Sequence, residues 1–243
     1  MGVVAVVPAR AGSKSIKDKN IIPIAGHPLL SYSVRAAKLC GNIDRVFLST
    51  DSPDYAQIGK KYGAETPFLR SPEISEDESI DLEWVQHFLS WWKANESEIP
   101  DLLVHLRPTT PLRDPEVITE AIEIFKELEQ ATALRSVHQM SQTAYKCFEK
   151  KEEYLVTSFH RQRALDFSNQ PRDAYPKTFD PNGYVDILRP FYVEKACQLH
   201  GDHVIGFETK RVADIDTEED IEYLEFGVAK NKSLIQLLFE GYD

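Results

Sequence analysis

Four cations, Arg10, Lys14, Lys17 and Lys19, follow the apolar run Val3–Val7 in a loop with Gly12 and Ser13 at its centre. Cations interleaved with small residues, which let a backbone come close, suit a polyphosphate. In a chain of formal net charge −11, such a concentration of positive charge is more than a solvated basic loop. The order Ala9-Arg10-Ala11-Gly12-Ser13-Lys14 is neither the Gly-x-x-x-x-Gly-Lys-Ser/Thr phosphate loop nor the Gly-x-Gly-x-x-Gly dinucleotide turn. Far along the chain, Asp214 and Asp216 stand two apart, so an extended segment turns both carboxylates to one side. Paired hard oxygens suit Mg²⁺, which completes its shell with water and substrate phosphates. Asp216 has a competing role as N-cap of a helix opening Thr217-Glu218-Glu219, a role that leaves Asp214 unexplained. A loop stiffened by Pro108 and Pro111 projects Arg107 and Arg113, although an ordinary rigid turn accounts for it equally well. Asp186 falls in an otherwise apolar strand, where a carboxylate needs a partner.

These residues need elements to hold them. Strands are expected at Val3–Val7, Arg45–Thr50, Leu102–Leu106, Ala133–Val137, Tyr184–Leu188 and His203–Phe207. Helices are expected at Pro28–Leu39, Pro53–Tyr62, Ser79–Lys93, Pro115–Leu128 and Thr217–Ala229, several opened by Pro or preceded by Asp. Alternation of this kind implies an α/β fold with a mainly parallel sheet and helices on both faces. Ligands of such sheets bind beyond the carboxyl ends of the strands, where the basic loop lies. Residues Gln139–Pro181 break the rhythm. Their seven aromatics, from Tyr145 to Phe179, argue against disorder and for an ordered lid or an arm onto a partner subunit. The chain is otherwise expected to form one domain over residues 1–243.

Composition narrows the function classes. An acidic balance argues against nucleic-acid binding, which needs a basic face. No apolar window reaches the length of a membrane span, and no signal segment precedes the first strand. Cys40, Cys147 and Cys197 are few and widely spaced, as expected of reduced thiols in a cytoplasmic protein. His200 and His203 read as a surface turn, and Trp84, Trp91 and Trp92 as helix packing.

Taken in order, Pro-Ala-Arg-x-Gly-Ser-Lys…Lys-Asn, Leu-Arg-Ser-Pro-Glu around Arg70, Arg-Pro-Thr-Thr-Pro-Leu-Arg, Pro-Asn-Gly and Asp-Ile-Asp-Thr resemble the acylneuraminate cytidylyltransferases, the CMP-sialic acid synthetases and their CMP-Kdo relatives. The resemblance runs from Val3 to about Leu224. It implies a Rossmann-like fold, Mg²⁺ dependence and homodimers in which an arm, here Gln139–Pro181, reaches over the neighbouring active site. It also implies phosphate contacts for Arg10, Ser13, Lys14 and Lys19, and base-side contacts for Asn20 and Arg70. Asp214 and Asp216 match the metal pair, and Lys146 and Arg172 match basic residues near the acceptor sugar. Departures cluster at the acceptor side. Arg107 stands where sialic acid enzymes usually have Gln, Asp186 where they usually have Tyr, and Asp180 where a base is common. Arg107 is expected either to pair with Asp186 or to meet an anionic acceptor group. Asp81 replaces a base-reading Ser, and its carboxylate could accept from cytosine or guanine.

The expected reaction is nucleotidyl transfer, in which an acidic sugar attacks the α-phosphate of CTP and releases pyrophosphate. Arg10, Lys14 and Lys19 would hold the triphosphate, and either Asp214 or the metal would aid deprotonation. Alternatives are a guanylyl- or other nucleotidyltransferase acting on a sugar phosphate, and a noncatalytic nucleotide binder of the same fold.

Overall fold

The computed structural model describes residues 2–159 and 164–242. In chain order the elements are β1 (Val3–Pro8), the short pair β2 (Pro23–Ile24) and β3 (His27–Pro28), α1 (Leu29–Leu39), β4 (Arg45–Ser49) and α2 (Pro53–Lys61). Then come α3 (Asp81–Asn95), β5 (Leu102–His105), α4 (Pro115–Glu127), β6 (Ala133–Gln139) and the hairpin β7 (Phe148–Lys151) and β8 (Tyr154–Thr157). The chain continues through β9 (Phe179–Leu188), α5 (Pro190–Ala196), β10 (Val204–Glu208), α6 (Glu218–Lys230) and α7 (Lys232–Phe239).

Six strands form the main sheet in the order β10-β6-β9-β5-β1-β4. The pairs β1–β4, β1–β5 and β10–β6 are parallel, whereas β9 runs antiparallel to both neighbours. β1 shows why the sheet is covered twice. Val3, Ala5 and Val7 join one apolar cluster with residues of α1, α4, α6 and α7, while Val4 and Val6 join another with Trp84, Val85, Phe88 and Leu89 of α3. Local signals set the helix entries. Ser52 accepts from the Tyr55 amide ahead of Pro53, Asp114 accepts from the Glu116 amide ahead of Pro115, and Thr217 and Asp220 form a reciprocal cap on α6.

The strand expected at Tyr184–Leu188 is longer and begins at Phe179, so Pro-Asn-Gly lies inside β9 instead of forming a turn before it. Between the pairs Val137–Pro181 and Arg135–Asp186, β9 carries extra residues in a bulge. Gly183 makes the bulge possible. Its φ is +65°, and an added Cβ would lie 3.1 Å from Thr110 Oγ1. The bulge sets Asp186 opposite His105 on one side and Arg135 on the other.

Between β6 and β9, the described residues form the β7–β8 hairpin and short helical turns at Ala144–Lys146, Leu165–Asn169 and Arg172–Ala174. Residues 160–163 of the 139–181 segment lie outside the described residues. Tyr175 stacks on Tyr145 and donates to the Phe167 carbonyl. Phe148, Tyr154, Leu155, Phe159 and Leu165 are exposed on this segment.

Candidate active site

The parallel strands β1, β4 and β5 end beside a cleft of about 440 Å³. Arg10, Ser13, Lys14, Lys19 and Asn20 line it from the loop after β1. Arg70, Asp81 and Trp84 line it from the segment leading into α3, Arg107 and Thr109 from the loop after β5, and Asp216 from the approach to α6. Five of the expected nucleotide-site residues thus come from one loop, with the others converging from distant parts of the chain.

Backbone anchors shape the basic loop. The Ala9 amide donates to the Ser49 carbonyl, and the Ala11 amide donates to Asp51 Oδ1 at 2.7 Å. Asn20 is buried, with its Nδ2 donating to the Arg10 carbonyl, so its side chain braces the loop. Arg10 and Lys14 converge on one carboxylate, that of Asp77, at 2.7 and 2.5 Å. Their positive charges hold the Asp77 carboxyl below its ordinary range, through the hydrogen bond from Lys14 first and that from Arg10 next. Two cations gripping one anion in this way form the kind of site a phosphate fills. Asp77 gave no sign of this in the sequence, because it sits in the acid-rich stretch Glu73–Glu78, which reads as solvated. Lys17 is exposed and does not line the cleft.

Lys19 closes the far side. Its Nζ donates to the Ile215 carbonyl at 2.8 Å and lies 3.0 Å from Asp216 Oδ1. Ile215 is buried and its amide donates to the Thr109 carbonyl, whereas Asp214 and Asp216 are exposed. That alternation matches the extended segment expected from the sequence. The cap of α6 is Thr217, so Asp216 is not needed for capping. Asp216 lines the cleft and Asp214 does not. Among the described residues no group of three or more His, Cys, Asp or Glu side chains gathers into a metal cage. Two exposed carboxylates beside a cation-lined cleft nevertheless fit Mg²⁺, which takes one or two carboxylates and shares the remaining positions between water and substrate oxygens.

The wall opposite the basic loop is a chain of charges. Arg70 is buried and donates to Ser49 Oγ and to the Ser49 carbonyl; burial pushes its pKa down to about 10. Its guanidinium faces the Trp84 ring. Trp84 Nε1 donates to Asp81 Oδ1 at 2.9 Å. Arg107 then bridges two carboxylates, donating through Nη2 to Asp81 Oδ2 at 2.7 Å and through Nη1 to Asp186 Oδ2 at 2.8 Å. Of the two roles expected for Arg107, the structure shows the pairing with Asp186. Asp186 is 1% exposed, so it lies beneath the wall and does not touch the cleft. Burial acts to raise its pKa, but Arg107, through its charge and its hydrogen bond, outweighs that together with His105 and Arg135, and the carboxyl is held below its ordinary range. His105, the residue paired with Asp186 in register, is also buried; burial, then the Arg107 charge, push its pKa down to about 3. A lone His ending the apolar run Leu102–His105 offered no hint of that contact.

Arg113 points inward, contrary to the expectation that its loop projects it. It is fully buried and donates to the carbonyls of Arg107, Gly183 and Tyr184 and to Ser33 Oγ, so it ties the β5 loop to β9. Lys146 and Arg172 do not line the cleft. Lys146 lies over the Tyr175 ring, and Arg172 donates to the Met140 carbonyl. Asp180 lies 3.9 Å from His138 Nε2, away from the cleft lining.

An open, mostly parallel α/β sheet with a cation-lined cleft over its carboxyl edge defines a nucleotide-handling enzyme of the Rossmann-like kind. The cytidylyltransferase family model matches residues 4–233, and the chain belongs to that family. It is 30% identical over 243 residues to the N-acylneuraminate cytidylyltransferase of Escherichia coli O18:K1:H7, an alignment covering 97% of this chain and 54% of that protein. The chain therefore spans about half of that relative's length. It is also 30% identical over 222 residues to the pseudaminic acid cytidylyltransferase of Campylobacter jejuni, covering 90% of this chain and 92% of the relative. Among solved structures, a CMP-2-keto-3-deoxy-manno-octonic acid synthetase complexed with CTP superposes with a TM-score of 0.70 at 15% identity, covering 95% of this chain and 99% of that one. That likeness shows the shared fold.

Proposed function

We propose that this chain transfers a cytidylyl group from CTP to an acidic nine-carbon sugar, giving a CMP-sugar and pyrophosphate. The observation that carries the reading is the convergence of Arg10 and Lys14 on a single anion within the cleft that Lys19 and Asp216 close. The names of the relatives at 30% identity support an acidic sugar as acceptor.

In this reading Arg10, Ser13, Lys14 and Lys19 bind the triphosphate, and Asn20 keeps their loop in shape. The cations offset charge on the departing pyrophosphate, so catalysis is largely positioning and electrostatics. Asp214 and Asp216 are the residues that would hold Mg²⁺, which supplies Lewis-acid polarisation of phosphate oxygens when bound. Deprotonation of the attacking hydroxyl would be aided by Asp214 or by the metal that it and Asp216 would hold. Arg70 and Asp81 form the base-side wall.

The acceptor side is completed by a second copy of the chain. The exposed Phe148, Tyr154, Leu155 and Phe159 support the 139–181 segment as an arm that packs on a partner subunit. Lys146 and Arg172, which do not line their own chain's cleft, would then serve the neighbouring site. The rest of the chain forms one catalytic domain. No helix among the described residues is long and apolar enough to cross a membrane, and the free thiols of Cys40, Cys147 and Cys197 suit a cytoplasmic enzyme.

The test is pyrophosphate release with CTP, GTP, UTP and ATP against a panel of nonulosonic acids and sugar phosphates, with and without Mg²⁺. Turnover that needs CTP, a nonulosonic acid and Mg²⁺ is the expected result. Turnover confined to a sugar phosphate would move the acceptor to another class.

A further inference from the structure

The residues from Ala9 to Asp18 contain no strand or helix, so contacts with neighbouring elements set the path of the basic loop. Two of those contacts come from the start of α2. Asp51, which precedes the N-cap Ser52, accepts from the Ala11 amide through Oδ1 at 2.7 Å. Tyr55, in the first turn of the helix, donates through its hydroxyl to Asp18 Oδ1 at 3.2 Å. Ala11 adjoins Arg10 and Asp18 adjoins Lys19, so each grip falls beside a cation of the cleft, with Lys14 between them. Neither Asp51 nor Tyr55 lines the cleft.

Both grips meet backbone that needs holding. Gly12, next to Ala11, has a φ of +75°. Asp18 has a φ of +53°, a left-handed conformation that a residue with a Cβ keeps only where its surroundings fix it. The platform beneath is firm. Tyr55 and Ala56 are buried, Ser52 accepts from the Tyr55 amide, and the Ser49 carbonyl takes the Ala9 amide at the root of the loop. Burial, then the charge of Asp18 and the hydrogen bond to it, then Asp51, push the Tyr55 phenol up, so it stays a donor at neutral pH.

We propose that Asp51 and Tyr55 are positioning residues for phosphate binding, gripping the loop near both ends so that Arg10, Lys14 and Lys19 stand ready for a pyrophosphate or triphosphate. Neither touches the ligand; each acts through the backbone or side chain of a loop residue. A loop ordered in advance loses less conformational entropy when the ligand arrives, and its cations need no rearrangement. The charge of Asp51 is not what helps. A carboxylate behind a loop that takes an anion opposes binding electrostatically, so the useful feature is the acceptor oxygen that fixes the Ala11 amide. The inference rests on the cytidylyl reading above and deepens it by naming the residues that pre-form its phosphate site.

The test measures pyrophosphate binding by calorimetry with Mg²⁺ present, which requires neither base nor acceptor. Asp51→Ala leaves the Ala11 amide without this acceptor and is expected to bind pyrophosphate about three- to tenfold more weakly. Asp51→Asn keeps an oxygen for the amide and removes the charge, so it should bind as tightly as wild type or more tightly. Tyr55→Phe keeps the buried ring, loses only the hydroxyl, and is expected to weaken binding about two- to fivefold. Melting temperatures read folding separately, and Tyr55→Phe carries the test if Asp51→Ala does not fold. If wild-type protein binds pyrophosphate and folded Asp51→Ala and Tyr55→Phe bind it equally well, the inference fails and the cytidylyl reading stands. Asp51→Asn as weak as Asp51→Ala would also overturn it, by tracing the effect to charge. If wild-type protein binds neither pyrophosphate nor CTP, the cytidylyl reading itself fails.

Discussion

Asp77 occupies the two cations best placed for a triphosphate. Exposed ion pairs are weak, so the contact modulates binding without blocking it. Asp77→Asn should therefore tighten CTP and pyrophosphate binding by about two- to fivefold. An unchanged or weaker affinity, measured calorimetrically, would mean that the carboxylate helps hold substrate and does not compete with it. The sequence was uneven at this scale. Asp186 announced a partner, because a carboxylate in an apolar strand has to be neutralised, and Arg107 was the cation found there. Arg10, Lys14, Lys19 and Asp216 were legible as residues of one cleft, because their types and spacing suggested chemistry before the fold brought them together. Asp77 was not, since six residues from Glu73 to Glu78 include four acids and only the folded loop selects one of them. Arg113 was misread for a related reason: a charged side chain in a proline-rich loop looks exposed until four protein acceptors are seen around it.

Among the elements, β9 matters most to the site because its bulge decides which side chain faces the wall. Gly183 holds a left-handed conformation against Thr110. Gly183→Ala should destabilise the fold by about 1–2 kcal/mol, read as a lower midpoint in urea. A midpoint equal to wild type would show that the bulge tolerates a Cβ and that its register does not depend on glycine. Helix entries were legible to within a residue or two, because Pro53, Asp114 and Pro115 act locally. The direction of β9 was not. It depends on the path of the 140–178 connection, which carries no long amphipathic period. The α5 helix opens at Pro190 but its seven residues are too few to show an amphipathic period, and α7 is separated from α6 by Asn231 alone.

For the whole molecule, acid is the condition that tests the buried charges. His105 is neutral in the fold, with a pKa near 3, whereas an unfolded chain restores the ordinary histidine value of about 6.5. Between those values the unfolded state binds a proton that the native state refuses, so stability falls as pH falls, by up to about 1.4 kcal/mol per pH unit. His87 and His200, both also pushed down by burial, act with the same sign. Asp81, held near 2, adds its loss only below about pH 4. Denaturant midpoints should be level from pH 8 to 7 and decline from about 6.5 to 5, and His105→Gln should flatten part of that decline. An identical slope in the variant would remove His105 from the account.

Lys19 meets Ile215 and Asp216 across nearly the whole chain, at separations of 196 and 197 residues. Contacts so distant in sequence form late, after loop closure has been met by other interactions. During synthesis, Lys19 is made 197 residues before Asp216, which closes its cleft. Until Ile215 and Asp216 dock, a nascent chain carries an open, cation-rich loop without its closing wall.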